Sequence, residues 1–458
     1  MPNFRKLAQN YHNLAEGALA ELVKKKSVYD PSTIGEGAPY GKGVKSALDF
    51  VANLGEEYGF KVDRCNGYAT EISFGEGNGP LIGIYAHSDV VPVSGKWEKE
   101  PFSANIVGEG KERKMISRGA TDDKGPLVAS LMAMKLLKDN NLLDGYRVRL
   151  VTGGDEERGS SCLAYYFHTL NKPHCDLGFT PDADFPLIYA EKGIYRGDLK
   201  RKVDLSPIIA ISGGHVSNAV CDRILVTVKS DKKLEKKLTS ESLAEVSSLG
   251  EAMILTFKGK TSHGSTPELG DNAGIKALKV LGEYYGIEFL KTLSSALSDP
   301  NGAGFDGKES SPELGLNTYN YGIFKYDDHS KVLSISLDFR YGEAAHPDEC
   351  IEKIKKAVSC DLPILSKSPL LLFDKKSPLV STLMKSYKRM SHKLFAKPFA
   401  IGGGTYAKEA KNIVAYGGAF PGHPGNIHSP NEYFYMEDLH ESIAYYADAI
   451  YSLGHAKK

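Results

Sequence analysis

Buried strands alternate with helices in the first part of the chain, and no other feature limits the possible folds so strongly. The run LIGIYAHSD, which begins at Leu81, is rich in aliphatic residues and follows the turn-like GEGNGP, as a buried parallel strand does. A helix is predicted from Gly125 to Asn140, a second buried strand from Tyr146 to Thr152, and a short third strand from Asp176 to Pro181. Strands that alternate with helices indicate an α/β layer structure, here with a mainly parallel sheet.

The middle of the chain has a different pattern, which is typical of an antiparallel sheet. From Leu333 to Arg340, apolar residues alternate with Ser, Asp and Arg, the period of two that a strand with one face in water shows. Arg340 is therefore predicted on the wet, polar face of this strand. Further strands and the helices that cover them are predicted at Asp222–Ser230, Ala252–Lys260, Asn272–Tyr285 and Pro347–Val358. These elements indicate an inserted α+β domain.

Helical periodicity dominates both ends of the chain. Amphipathic helices are predicted in the regions Asn3–Val23, Val44–Tyr58, Leu379–Phe395 and Met436–Leu453. The length of 458 residues is enough for two or three domains. We therefore predict a discontinuous catalytic domain, residues 1–192 and 377–458, which is interrupted by a lid domain, residues 193–376.

Charge and cysteine content exclude several classes of partner. The 57 Lys and Arg residues balance 57 Asp and Glu residues, so no excess of positive charge is present for binding nucleic-acid phosphates. The most apolar stretch, Leu127 to Leu137, is too short to span a bilayer, and the first residues lack the apolar run of a secretion signal. Six cysteines without a C-x-x-C pair favour free thiols in a reducing compartment. A cytoplasmic protein with no membrane partner is predicted.

Carboxylates and imidazoles follow several of the predicted strands and helices. They occur in the segments that contain His87 and Asp89, Asp122 and Asp123, Asp155 to Glu157, Asp182 and Asp184, and His428. Open α/β sheets place their sites at the carboxyl ends of strands, and a mixed nitrogen and oxygen ligand set suits zinc, manganese or cobalt. From the residues alone, capping of the helix after Lys124 by an Asp and a solvated acidic loop remain open alternatives.

In their order along the chain, these segments resemble the motifs of the dinuclear metallo-exopeptidase superfamily that contains aminoacylases, desuccinylases and carnosinases. The matching segments are His87-x-Asp89, RGATDDKG from Arg118, Asp155-Glu156-Glu157, PDAD from Pro181, and His428. GKTSHGSTPELGDNA from Gly259 and GGGTY from Gly402 further resemble the PepV-type dipeptidases of this superfamily. The resemblance runs from about Asn3 to Ser452 and implies metal-dependent hydrolysis of dipeptides.

The resemblance implies two divalent metal ions, zinc first, with manganese and cobalt as alternatives. The implied metal ligands are His87, Asp122, Glu157, Asp182 and His428. Asp122 would bridge the two metals, and the resemblance also implies a cis peptide bond between Asp122 and Asp123. Because Asp184 lies only two residues after Asp182, the choice between these two carboxylates stays open.

The same resemblance implies catalytic and substrate-binding residues. Glu156 would be the general base and Asp89 the partner of His87, while His263 would stabilise the oxyanion. The implied substrate-binding residues are Asn218, His263, Arg340, Gly404 and Thr405. Arg340 would bind the substrate carboxylate, because a guanidinium group offers a planar, bidentate pair of donors.

Two other functions remain as alternatives. A deacylase or desuccinylase of the same superfamily would use the same metals on N-acyl amino acids. A metal-binding protein without catalysis is a remote alternative, because a pure binder has no use for Glu156 as a base. The inserted domain is larger than a small dimerisation domain needs to be, so we predict that one chain supplies the whole site and that the active enzyme is a monomer.

Overall fold

The computed structural model describes residues 1–456, which form two compact units. Unit 1 comprises Met1–Tyr189, Phe373–Phe399 and the described residues from Gly404 onward. Unit 2 comprises Ala190–Leu372 and Ala400–Gly403. None of the helices in residues 1–456 combines the length and the apolar character that a membrane-spanning segment requires.

The α-helices are numbered in chain order. They are α1 (Phe4–Ala8), α2 (His12–Val23), α3 (Lys42–Glu57), α4 (Gly125–Asp139), α5 (Ser161–Ala164), α6 (Lys232–Ser240), α7 (Ala273–Tyr285), α8 (Glu288–Leu297), α9 (Pro347–Val358), α10 (Pro378–Ser391) and α11 (Met436–Gly454). Those from α6 to α9 belong to unit 2.

The strands are numbered in the same way. Those up to the start of the inserted unit are β1 (Lys61–Asp63), β2 (Ala69–Phe74), β3 (Leu81–His87), β4 (Asn105–Val107), β5 (Lys114–Ile116), β6 (Arg147–Gly153), β7 (Leu177–Thr180), β8 (Ala183–Asp184) and β9 (Ile188–Glu191). The others are β10 (Gly193–Lys202), β11 (Ile208–Gly213), β12 (Arg223–Lys229), β13 (Glu245–Leu249), β14 (Ala252–Lys258), β15 (Ser310–Ser311), β16 (Gly315–Leu316), β17 (Thr318–Asp327), β18 (Val332–Tyr341), β19 (Ile364–Ser368), β20 (Leu371–Leu372), β21 (Phe399–Ile401), β22 (Ile413–Ala415), β23 (Gly418–Ala419) and β24 (Tyr433–Tyr435).

The largest sheet has the strand order β1-β2-β6-β3-β7-β22-β9-β20. Its central strands β6, β3, β7 and β22 are parallel, and antiparallel strands flank them on both sides. Every residue of β3 is buried, as expected for a parallel strand covered on both faces. The predicted α/β class with a mainly parallel sheet is confirmed.

Helix α4 explains the most apolar stretch of the sequence. Its residues from Gly125 to Met134 are all buried, and it packs against α11, α2 and strands β3 and β6. A helix that is apolar on all sides must lie in the interior of a domain or membrane. Because α4 begins directly after the loop that carries Asp122, its burial fixes the position of that loop.

Unit 2 contains an antiparallel sheet of order β13-β14-β12-β11-β17-β18-β10-β19. Helix α7 packs on β12 and β14, and α8 packs on α7 and α9. Apolar residues of the sheet and helices, among them Leu255, Leu278 and Leu337, form one buried cluster. The structure therefore contains the antiparallel sheet and covering helices that the period-two pattern predicts.

The prediction that Arg340 lies on a wet face is wrong. Asp338 is 0% exposed and Arg340 is 2% exposed. Arg196 of the paired strand β10 lies opposite Asp338, and the backbone oxygen of Gly402 contacts the Arg340 guanidinium. Asp338 accepts hydrogen bonds from Arg340 Nε at 2.6 Å and from Arg196 Nε at 3.1 Å. A period of two thus identifies a polar face correctly, but here the polar groups are satisfied by one another instead of by water.

Candidate metal centre

The candidate metal centre begins at the carboxyl end of strand β3. His87 is the last residue of β3 and is 1% exposed. Its Nε2 atom lies 2.9 Å from Asp122 Oδ1 and 3.8 Å from Asp182 Oδ2. Its Nδ1 atom lies 3.0 Å from the backbone oxygen of Asp89, a contact that fixes the orientation of the ring.

Asp122 lies between two imidazoles. Its Oδ1 atom is 2.9 Å from His87 Nε2, and its Oδ2 atom is 2.9 Å from Nε2 of His428. The predicted cis peptide bond between Asp122 and Asp123 is confirmed. A carboxylate whose two oxygens face two different imidazoles has the placement that a bridging ligand needs.

Two overlapping groups of side chains could each hold a metal ion. One group is His87, Asp122 and Asp182, and the other is Asp122, Glu157 and His428. The ligand atoms within each group lie within 4.8 Å of one another. The structure thus brings together the five residues that the resemblance implies as ligands. Asp184 is exposed and belongs to neither group.

Asp89 connects the two sides of this centre. Its Oδ1 accepts a hydrogen bond from the backbone N–H of Glu156 and its Oδ2 one from that of Glu157, both at 3.1 Å. Its carboxylate is 3.5 Å from His87 Nδ1, so its closer contact with the imidazole is through the backbone oxygen. Asp89 therefore fixes the loop that carries both glutamates.

The electrostatics of the centre fit a bound cation. Burial and the charge of Asp122 raise the pKa of Asp182 to about 7. Burial and the charge of Asp182 raise the pKa of Glu156 well above its usual range. These shifts come from carboxylates packed together away from water, where each disfavours ionisation of the others. Divalent metal ions would compensate this charge, and two imidazoles with several carboxylates form a donor set suited to them.

In unit 2, the segments of Asn218 and His263 lie side by side. Gly264 N donates to Asn218 O at 2.7 Å, and Ala219 forms a β-bridge with His263. The His263 side chain is exposed, and its Nδ1 lies 2.7 Å from the Ser265 hydroxyl. The structure thus brings these two predicted substrate-binding residues together.

Arg340 and the glycine-rich segment are also neighbours within unit 2. Arg340 Nη1 donates to the backbone oxygen of Gly402 at 2.7 Å. The predicted residues Gly404 and Thr405 follow in unit 1, where the Thr405 hydroxyl accepts a hydrogen bond from Ala407 N at 3.1 Å. The observed partner of Arg340 in this segment is therefore Gly402, the first residue of the GGGTY motif, which is not among the predicted substrate-binding residues.

Residues 83–452 match the sequence model of the peptidase family M20/M25/M40. The chain belongs to this family. Membership confirms the predicted superfamily and makes the protein a peptide hydrolase by descent.

Relatives of this M20 protein align over nearly its whole length. A protein of Bacillus subtilis (strain 168) named "Putative dipeptidase YtjP" is 34% identical over 452 residues, which cover 94% of this chain and 96% of that protein. A protein of Staphylococcus aureus (strain MW2) named "Putative dipeptidase MW1694" is 31% identical over 473 residues, which cover 98% of this chain and 99% of that protein.

Solved structures of other proteins show the same fold. The M20 family metallo-carboxypeptidase Sso-CP2 of Sulfolobus solfataricus has a TM-score of 0.60 and 20% identity, with 96% of this chain and 99% of that chain covered. Human carnosine dipeptidase 1 has a TM-score of 0.57 and 13% identity, with 99% of both chains covered.

One buried residue beside the centre of this M20 protein is missed by the sequence analysis. Glu432 is 1% exposed, and its side chain accepts hydrogen bonds from the segment Arg118–Asp122. A signal was present, because Glu432 lies only four residues after His428 in the segment NIHSPNEY. Its partner Arg118 stands in an equally conspicuous motif, but nothing in the sequence pairs the two residues.

Proposed function

We propose that this protein is a dipeptidase that depends on two divalent metal ions. The observation that carries the proposal is the pair of ligand groups that share Asp122, with Glu156 next to a ligand but in neither group. The relatives that cover almost the whole chain and are named as dipeptidases support this substrate class. Small peptides are accordingly the proposed partners.

The five clustered side chains are the proposed metal ligands. His87 and Asp182 would bind one metal ion, Glu157 and His428 would bind the other, and Asp122 would be a ligand of both. Zinc is proposed first, with manganese and cobalt as alternatives, because imidazole and carboxylate ligands accept all three. When bound, such a pair of ions supplies Lewis acidity and makes a water molecule acidic enough to react near neutral pH.

Glu156 is the proposed general base. Its carboxylate is outside both ligand groups, and Asp89 holds its backbone through the N–H group. Burial and the charge of Asp182 raise its pKa well above the usual range, which is the direction that makes a carboxylate a stronger base. In the proposed reaction Glu156 takes a proton from the attacking water and transfers it to the amine that leaves.

Residues of unit 2 are proposed to bind the substrate. Arg340 would bind the free carboxylate of the dipeptide, since Asp338 and Gly402 O hold its guanidinium in one orientation. His263 would donate to the oxygen on which charge develops, and Asn218 would bind beside it. Backbone N–H groups of Gly404 and Thr405 are proposed as further donors to the substrate.

Cellular location and oligomeric state are part of the same proposal. The six cysteines are buried free thiols, which supports a reducing, cytoplasmic environment. We propose that one chain carries every residue that the reaction needs and acts as a monomer.

A substrate panel tests the function. The metal-loaded protein is assayed with dipeptides, tripeptides and N-acyl amino acids, and again after treatment with a chelator and after metal is returned. Hydrolysis of dipeptides that chelator abolishes and metal restores is the expected result. Preferential hydrolysis of N-acyl amino acids would replace the proposal with a deacylase, and metal binding without any hydrolysis would replace it with a non-catalytic binder.

A further inference from the structure

We propose that Glu432 is a positioning residue for the metal centre, because its buried carboxylate holds the backbone that carries Asp122. The inference rests on the proposed metal ligands and adds a residue that acts through one of them. Glu432 itself belongs to neither ligand group. Its effect would come entirely from where it places Asp122.

Both oxygens of Glu432 accept hydrogen bonds from the same short segment. Oε2 accepts from Arg118 Nη1 at 2.7 Å and from Gly119 N at 3.0 Å. Oε1 accepts from Thr121 N at 3.0 Å and from Asp122 N at 3.2 Å. One side chain therefore satisfies three backbone N–H groups and one guanidinium N–H, and the last of these N–H groups belongs to the shared ligand.

The backbone around Glu432 reinforces the same connection. Glu432 O accepts a hydrogen bond from Ser117 N at 3.0 Å, and the hydroxyl of Thr121 donates to Tyr433 O at 2.5 Å. Strand β24, which begins at Tyr433, pairs with β5 next to this segment. Because His428 lies just upstream of Glu432, these contacts fix the segment of one proposed ligand against the segment of another.

Folding stability alone does not explain why the charged side chains of Glu432 and Arg118 are buried beside the proposed metal ligands. Glu432 and Arg118 form a buried ion pair in which both side chains are 1% exposed, and such pairs seldom add net stability over apolar packing. Arg118 Nε and Nη2 have no hydrogen-bond partner, and the guanidinium lies 5.3 Å from the Trp97 ring centroid. We therefore attribute the burial of this incompletely satisfied pair to the backbone segment that the Glu432 carboxylate holds in place.

The consequence for the centre follows from the geometry of Asp122. Its two oxygens each lie 2.9 Å from a different imidazole, so a small shift of its backbone would move it away from one or both. Residues that orient metal ligands typically change metal affinity by about 10- to 100-fold when they are mutated. We expect a loss in this range without Glu432.

The test is the substitution Glu432→Gln. A glutamine has the same shape but only one oxygen, so its NH₂ group must face either Arg118 and Gly119 or Thr121 and Asp122, which are all donors. Zinc-free protein is prepared with a chelator and titrated with Zn²⁺ by calorimetry, at a temperature well below the unfolding midpoint of each variant. We expect about 10- to 100-fold weaker binding of Zn²⁺ than in the wild type.

A matched control separates positioning from general stability. Asp448 is another buried carboxylate of unit 1, 1% exposed, that pairs with Arg389 and accepts from Ser386 Oγ at 2.5 Å. Asp448→Asn is expected to lower the unfolding midpoint of the zinc-free protein and to leave the affinity for Zn²⁺ unchanged. If Asp448→Asn weakens Zn²⁺ binding as much as Glu432→Gln does, affinity follows stability and the positioning role is overturned.

A milder substitution covers the case in which Glu432→Gln does not fold. Glu432→Asp keeps the carboxylate but shortens the side chain by one methylene, so it cannot accept from all four N–H groups at once, and it should weaken Zn²⁺ binding by about 10-fold, the lower end of the range for a residue that orients a ligand. Wild-type affinity in every variant that folds would overturn the role of Glu432 and leave the proposed function intact. A wild-type protein that binds no Zn²⁺, Mn²⁺ or Co²⁺ would overturn the proposed function and this inference together.

Discussion

At the residue scale, two adjacent glutamates have different environments. The backbone N–H groups of Glu156 and Glu157 both donate to Asp89, but only the Glu157 carboxylate belongs to a ligand group. Glu156→Gln is therefore expected to bind metal almost normally and to lose at least ~10²-fold in turnover, the lower range for removal of a general base. Glu157→Gln is expected to lose metal.

Elemental analysis of both purified variants, together with steady-state assays in added metal, checks this separation. The control is the conservative variant Glu157→Asp, which keeps a carboxylate and should retain more metal than Glu157→Gln. Equal loss of metal in the two Gln variants, or full activity of Glu156→Gln, would mean that the two roles are assigned wrongly.

A second residue-scale prediction concerns Arg340. Removal of its guanidinium by Arg340→Ala should raise KM for dipeptides and leave metal content intact, because the guanidinium is the proposed contact with the substrate carboxylate. The substitution also leaves Asp338 buried, with Arg196 as its remaining charged partner, so it lowers the stability of the fold as well.

Arg340→Lys separates these contributions, because it keeps the charge near Asp338 but not the bidentate geometry. The measurement compares a dipeptide with the same dipeptide amidated at its carboxyl end, in wild type and in each variant. The wild type should prefer the free acid strongly and the variants should not. An unchanged preference would remove Arg340 from carboxylate recognition.

The sequence could indicate the clustered ligands because most of them follow strands or a helix start that are recognisable by themselves. It could not choose between Asp182 and Asp184, since residues two apart on an extended chain point the same way. It also could not show that Arg340 is buried or that Glu432 meets Arg118. Those facts depend on which strands and loops become neighbours in the folded chain.

At the element scale, strongly patterned segments were predicted best. Helix α4 ends at Asp139, one residue before its predicted end, and β6 is shifted by one residue from its predicted range. The predicted first helix is instead interrupted by a 3-10 turn at Gln9–Tyr11. Helix α10 stops at Ser391 because His392 adopts a left-handed conformation with φ of 58°, which ends a helix whatever the periodicity.

Elements without a clear pattern were not predicted. Strand β10 carries alternating charged residues toward its end, and β11 is short and followed by glycines. Both pair with strands that lie far away in sequence, β10 with β18 and β11 with β17, and β11 also pairs with the next strand, β12. Pairing partners of this kind provide the hydrogen bonds that local propensity does not indicate.

Close packing between parallel strands gives a prediction for Gly178 in β7. A Cβ atom there would lie 2.2 Å from the backbone oxygen of Gly83 in β3, and backbone cannot move aside as a flexible side chain can. Gly178→Ala should therefore lower the free energy of unfolding by about 1–3 kcal/mol, as overpacking does. Denaturant unfolding measures the change.

Gly17 in α2 is the matched control, since a Cβ atom there meets nothing within 4 Å. Gly17→Ala in this exposed helix position should raise the free energy of unfolding by about 0.5–1 kcal/mol, because alanine loses less entropy in a helix. Changes of the same sign in the two variants would contradict the packing argument.

At the scale of the whole molecule, metal binding should be measurable as the number of metal equivalents per chain and as a change in the unfolding midpoint. The two ligand groups give three ligands per metal with Asp122 shared, so two metal equivalents per chain are expected. A ligand that binds only the folded chain stabilises it, and added metal should raise the unfolding midpoint of chelator-treated protein. At most one equivalent in active protein, with no gain on adding zinc, manganese or cobalt, would exclude a dinuclear centre.

The last prediction concerns the number of chains in the active enzyme. Unit 2 has its own sheet, helices and buried core, so it is large enough to present substrate-binding residues without help from a second chain. If one chain supplies both the metal ligands and the residues Asn218, His263 and Arg340, then specific activity cannot depend on association. We therefore expect activity per chain to stay constant on dilution, while light scattering coupled to gel filtration reports a monomer. The control mixes His87→Ala protein with Arg340→Ala protein: activity that returns on mixing would show that a partner chain completes the site.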